Sequence, residues 1–181
     1  MKPWAKKPWI KGTVIAVIQV ALVASLGAKL LSDRSTLPRA WAQAVPFDPD
    51  LPIRGRYVSL SLAVEARGAG EAKQGPGWQP PPAVTLRVEG GRLMAEPVRT
   101  DSGYDPAARH LRFIQRQDGG KLAVLAEPVA FFIPEHIPDP SRRPPGEELW
   151  VEVTLPRKGP PRPILLGVRR GSGPIVPMDV D

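Results

Sequence analysis

The chain has 181 residues, of which 25 are Lys or Arg, 18 are Asp or Glu and none is Cys. The missing cysteines exclude disulfides, a thiolate zinc site and every cysteine-based catalytic scheme. Five of the basic residues, Lys2, Lys6, Lys7, Lys11 and Lys29, precede the first acid at Asp33, so the remainder carries 20 basic against 18 acidic residues. The basic charge is therefore mostly an address at the amino end, and no nucleic-acid partner is expected.

That address is the first element. Four lysines lie within residues 1–11, and a predominantly apolar run goes from Thr13 to Ala28, twenty residues when counted on to Ser32. As a helix it is about 30 Å long, enough to cross a hydrocarbon core. The reading is a cytoplasmic basic flank at 1–11 and a transmembrane signal anchor at 12–32. Cations on the amino side hold that end in the cytoplasm and send the rest to the periplasmic or extracellular side. A cleaved signal peptide is the rival, because Ala42-Gln43-Ala44 has the small-x-small form that signal peptidases accept. The polar stretch from Ser32 to Trp41 sets that site too far from the apolar run, so an uncleaved anchor is the expectation.

Residues 33–50 are polar and proline-bearing and read as a juxtamembrane spacer. Beyond them lies one exported β-domain at 51–170, because the apolar pattern has a period of two. Val58, Leu60, Leu62 and Val64 alternate with polar or small residues. Three hairpins follow from the turn residues. Val84–Glu89 and Leu93–Val98 flank Gly90-Gly91, HLRFIQRQ and KLAVLAEPV flank Asp118-Gly119-Gly120, and ELWVEVTL and RPILLGVRR flank a proline-rich turn. Most of the 24 prolines lie between these runs. Residues 67–82 and 138–146 read as flexible loops, and 171–181 as a loose tail. The fold class is mainly β, an amino-terminal transmembrane helix followed by a small antiparallel barrel or sandwich.

The run PFDPDLPIRGRYVSLSL, residues 46–62, resembles the amino-terminal signature of the bacterial GDYXXLXY family of membrane-anchored proteins. Asp48 and Pro49 stand where that family has an aspartate-proline element, Arg54 where it has an arginine, and Gly55, Tyr57 and Leu60 at three signature positions. Arg56 replaces the aspartate and Leu62 the final tyrosine. Phe132, Pro134 and Glu135, within FFIPE, are similar to a second family segment, and the final hairpin looks like the family's closing one. The resemblance covers the anchor and most of the exported domain. It implies association with multi-pass membrane proteins and no defined chemistry. Turn formation at Asp48-Pro49, a bend at Gly55 and a capping ring at Tyr57 explain these residue types, so they are read as structural.

No motif carries a reaction. The only lysines after Asp50 are Lys73, Lys121 and Lys158, all in loop or turn sequence, which argues against a serine–lysine hydrolase. His110 and His136 have no partner at zinc spacing. Glu147 and Glu148 read as edge charges. Trp41 marks the far membrane interface, and Trp78, in a proline-rich loop, is the candidate partner contact. With no catalytic, cofactor or metal site in view, the expectation is a membrane-anchored, non-catalytic domain that binds another membrane or envelope component. Its partners are the bilayer and an integral membrane protein. The alternative is a hydrolase or carbohydrate-active domain with carboxylates assembled from distant strands.

Overall fold

The computed structural model describes residues 8–47, 57–67, 81–98, 107–116, 119–134 and 136–180. They form two units, Met1–Leu37 and Pro38–Asp181.

The first unit is α1 (Pro8–Thr36), one helix long and apolar enough to cross a membrane. Its apolar residues do not gather into a stripe. Val14, Val17, Val20, Val23, Leu26 and Leu30 point in several directions and all are exposed, as in a helix whose solvent is lipid. The helix extends past the expected 12–32 at both ends. At its carboxyl end, polar side chains bond back to helix carbonyls: Ser35 Oγ and Thr36 Oγ1 donate to Ser32 O at 3.0 and 2.7 Å. Leu37 N still donates to Asp33 O at 3.0 Å, and Pro38 then ends the ladder because it has no N–H.

The second unit is all β. Its strands are β1 (Arg39–Pro46), β2 (Tyr57–Ala63), β3 (Glu65–Ala66), β4 (Ala83–Glu89), β5 (Arg92–Pro97), β6 (Arg109–Gln115), β7 (Lys121–Leu125), β8 (Val129–Phe132), β9 (Glu147–Thr154), β10 (Arg162–Arg170) and β11 (Ile175–Pro177). Six of them close a barrel in the order β1-β2-β7-β6-β4-β5. The closure is a short parallel contact in which Trp41 pairs with Arg92 and Trp41 N donates to Gly91 O at 2.8 Å. Strand β3 continues β2 past Val64, whose N–H goes to Ala123 O, and adds a second parallel contact to β5. The other edge of β1 carries an antiparallel extension, β9-β10-β11, while β8 flanks the first half of β2.

The three expected hairpins are β4–β5, β6–β7 and β9–β10. The turn between β4 and β5 uses Gly90 and Gly91 at φ of 56° and 74°, the left-handed pair a primed two-residue turn requires. Alternation placed Val58, Leu60, Leu62 and Val64 in the core together with Leu149, Val151 and Val153, and all are buried.

Strand β1 is the first correction, since it lies within residues 33–50, read as a spacer. RAWAQAVP alternates, but its inward residues are Ala40, Ala42 and Ala44, which give little hydrophobic signal. All three are buried in the main core cluster. The second correction is the carboxyl end, expected to be a loose tail. Ile175–Pro177 pairs with β10, Met178 N donates to Leu166 O at 2.8 Å, and Met178 and Val180 pack on the core. Residues 138–146, expected as a flexible loop, are held by turns. Asp139 Oδ1 accepts from Ser141 N at 2.8 Å, Pro140 is buried, and Glu147 N bonds Pro144 O.

Because Ala40, Ala42 and Ala44 are buried in the core, enlarging one should be costly. Ala42→Leu is expected to destabilise the β-domain by about 1–3 kcal/mol through overpacking, measured as a lower urea midpoint for the detergent-solubilised chain. An unchanged midpoint would mean that the space beside Ala42 is not filled.

Candidate binding cleft

The outward face of β1 is built from the residues its alanines leave over. Alternation that turns Ala40, Ala42 and Ala44 inward turns Trp41 and Gln43 outward. Across the β1–β9 ladder Gln43 is opposite Trp150, and across β9–β10 Trp150 is opposite Gly167. Trp41, Gln43, Trp150 and Arg169 therefore share one face of the sheet. Together with Glu65 and Arg92 they line a cleft of about 190 Å³, where the barrel meets the outer sheet.

Gly167 makes room for the cleft's aromatic wall. A Cβ at this position would lie 2.8 Å from Ile175 Cγ2 and 2.9 Å from Trp41 Cζ3, closer than van der Waals contact allows. The absent side chain is what seats the Trp41 ring on the sheet. Trp150 is buried beneath guanidinium groups, with Arg169 centred 4.3 Å and Arg92 5.7 Å from its ring centroid. Such cation–π contacts contribute about 0.5–2 kcal/mol according to their desolvation.

One carboxylate ties this group together. Glu148 Oε2 accepts from Arg169 Nε at 2.9 Å, from Arg169 Nη2 at 2.6 Å and from Trp150 Nε1 at 3.3 Å. Arg116 Nη2 stands 3.9 Å from the other oxygen, Oε1. On the opposite side, Arg92 Nη1 donates to Glu65 Oε1 at 3.0 Å. Charge-assisted bonds with the planar guanidinium fork fix the arginines in direction as well as position. The result is a set of oriented donors and ring edges around a shallow opening. It offers donors suited to a polar ligand with planar or acceptor groups, and its carboxylates Glu65 and Glu148 are each bonded to an arginine.

The residues singled out from the sequence do not converge here. Asp48, Pro49, Arg54, Gly55, Trp78 and Glu135 lie outside the described residues. Leu60 is fully buried in the core, and Pro134 is half-buried, its carbonyl accepting from Ile137 N at 3.3 Å. Tyr57 and Phe132 do meet. The β2–β8 register pairs them, and their rings pack edge to face at 5.6 Å with both side chains exposed. Tyr57 therefore belongs to an outward aromatic pair and does not cap the barrel interior.

One other reading changes. Trp41, taken as a membrane-interface marker, packs against Gly167 in the cleft wall. Glu147 and Glu148, taken as edge charges, lie before the β1–β9 register begins at Trp150 and pair only with β10, where each bonds an arginine, Glu147 reaching Arg170 at 2.8 Å. The sequence reading missed Arg92, Arg116, Trp150 and Arg169. Only Trp150 left a signal, since Leu149 and Val151 face inward and so place an indole on the outer face of ELWVEV. His110 is exposed beside Pro81 O at 3.3 Å, and His136 is exposed in a turn. Among the described residues no group of three or more His, Cys, Asp or Glu side chains is arranged to hold a metal ion.

No protein-family model matches the chain, and neither a curated protein nor a solved structure matches it.

Gly167→Ala should displace Trp41 or Ile175, because neither a ring atom nor a branched methyl can share the new Cβ position. The expected outcome is a loss of about 1–3 kcal/mol and an altered near-ultraviolet circular dichroism band from tryptophan. Retention of both the band and the stability would show that the wall is not seated as described. Glu148→Ala removes the common acceptor of Arg169 and Trp150, both largely shielded from water. It is expected to cost about 1–3 kcal/mol, read in the same denaturation experiment.

Proposed function

We propose that the chain is a single-pass membrane protein whose β-domain binds another membrane or envelope component without catalysis. The observation that carries this reading is the cleft. Its arginines are already oriented by Glu65 and Glu148 and stacked on Trp150, so a ligand meets donors that need little ordering. Buried tryptophan and arginine beside an opening are the residue types that dominate recognition surfaces. An anchor adds to this by confining the domain to the membrane plane, which raises its effective concentration near membrane partners. The resemblance of residues 46–62 to the GDYXXLXY signature supports an integral membrane protein as that partner.

The lysines of residues 1–11 favour a cytoplasmic amino end and a domain on the periplasmic or extracellular side. A reporter that is active only after export, fused after Asp181, is expected to be active, and activity of a cytoplasmic reporter at the same point would overturn the orientation.

The test of the binding reading is co-purification of the tagged full chain from detergent-solubilised membranes. Trp41→Ala combined with Arg92→Gln should lower recovery of the partner roughly tenfold or more, an effect of about 1.4 kcal/mol or more, while the β circular dichroism spectrum is retained. Undiminished recovery by the folded double variant would place the interface elsewhere. A second reading, a carbohydrate-active domain, draws on Glu65 and Trp41 lining one cleft. It requires Glu65→Gln to abolish a glycan-cleaving activity, whereas the binding reading requires only altered affinity.

A further inference from the structure

We propose that α1 pairs in the membrane with α1 of a second copy of this chain, the two Gln19 amides bonding to each other near the bilayer midplane. This rests on α1 spanning the membrane and goes beyond the assignment of the cleft. Between Lys11 and Lys29 the helix carries three side chains able to form hydrogen bonds, Thr13, Gln19 and Ser25. Two are satisfied within the helix. Thr13 Oγ1 donates to Trp9 O at 3.0 Å, and Ser25 Oγ donates to Leu22 O at 2.8 Å. Among the described residues no such bond reaches the Gln19 amide, which is exposed on the helix surface. Gln19 stands about 12 Å along the axis from Lys11 and about 15 Å from Lys29 at roughly 1.5 Å per residue, so its short side chain reaches neither interface. An amide at that depth has two N–H donors and a carbonyl acceptor and no water to serve them. It costs free energy until a partner supplies the complementary groups.

A second copy supplies them with no further component. The amide is its own complement, since each Nε2–H can donate to the Oε1 of the other chain. Copies of one sequence insert with one orientation, so their helices run parallel and hold Gln19 at equal depth. The residues in line with Gln19 allow the approach. Gly12, Ala16, Gln19, Val23, Leu26 and Leu30 follow one another at alternating intervals of four and three residues, the spacing of a single seam between coiled helices. No atom lies within 4 Å of the position a Cβ would take at Gly12, and Ala16 adds only a methyl group, so a neighbouring backbone can come close on the amino side of Gln19. The seam is marked by its polar and small residues and not by hydrophobicity, as it must be in lipid, which is as apolar as leucine. Lys11 and Lys29 each sit one residue, about 100°, off this line, so like charges do not face each other. One polar residue in such a seam also fixes its register.

The chain has no cysteine, so one introduced at Ser35, exposed and off the seam, can be labelled without background. Full chains labelled as Ser35→Cys with donor or acceptor fluorophores are reconstituted together in phosphatidylcholine vesicles, and energy transfer is followed as lipid is added. Gln19→Leu should raise the protein-to-lipid ratio needed for half-maximal transfer roughly fivefold or more, and Gln19→Asn should stay closer to the parent. Leucine inserts at least as well as glutamine, so lost transfer does not reflect a lost anchor. Under oxidation in the same vesicles, Val23→Cys, on the seam, should cross-link several-fold more than Ala21→Cys, on the opposite side of the helix. Transfer no greater than random proximity gives, transfer unchanged in Gln19→Leu, or equal cross-linking at the two positions overturns the proposal. Loss of the co-purifying partner in Gln19→Leu without any self-transfer would assign the amide to a helix of another protein and likewise overturn self-pairing. Extraction of the chain from the vesicles by alkali would overturn the spanning reading beneath it, whereas chains retained in the vesicles without transfer overturn the pairing alone.

Discussion

Backbone hydrogen bonding along β1 organises the domain. Successive residues of a strand turn their N–H and C=O groups to alternate edges, and in β1 both edges are used. One takes β9, and the other takes the parallel end of β5 and then β2. The same strand therefore closes the barrel and begins the outer sheet. Its inward side chains are small, Ala40, Ala42 and Ala44, and all three are buried in the main core. The outward side chains are then free to build something else. Trp41 and Gln43 become the floor and wall of a cleft at the junction, and Gly167 clears the space the ring needs. Packing on one face of β1 and the cleft on the other are two consequences of one alternation.

The strands that were legible in the sequence are those whose inward residues are large. Leu60 and Leu62 of β2, Leu93 of β5 and Val151 and Val153 of β9 give a period-two signal that survives any window. Paired glycines at Gly90-Gly91 added the turn. Strand β1 escaped because alanine is a weak marker of burial and because its polar neighbours suit a spacer equally well. Strand β11 escaped because Pro174 and Pro177 bracket it. Its pairing with β10 is a tertiary contact that no local preference encodes. The cleft was almost illegible for a related reason. Its residues come from β1, β2, β3, β5, β7, β9 and β10 and from the residue after β6, so their sequence separations carry no pattern. The signature-like residues were easier to notice and went elsewhere, Leu60 to the core and Tyr57 with Phe132 to an exposed aromatic pair.

Electrostatics divides the chain into parts with different tasks. Lysines before Asp33 accompany an apolar helix long enough to cross a bilayer. Arginines of the β-domain are largely committed to carboxylates across strands, Arg169 to Glu148, Arg170 to Glu147 and Arg92 to Glu65. Exposed pairs of this sort contribute little to stability, but the Arg169–Glu148–Trp150 group is screened from water and fixes three side chains in one arrangement. A rigid, oriented set of donors is more useful for recognition than for proton transfer.

Amide hydrogen exchange along residues 39–46 in the full-length, membrane-embedded chain tests the architecture most directly. If β1 is the shared strand, the amides of Ala40 to Val45 should exchange as slowly as those of Val151 and Val153 and open only when the whole β-domain unfolds. Fast, independent exchange across residues 39–46, with β9 still protected, would return this segment to a spacer and remove the basis for both the closed barrel and the cleft.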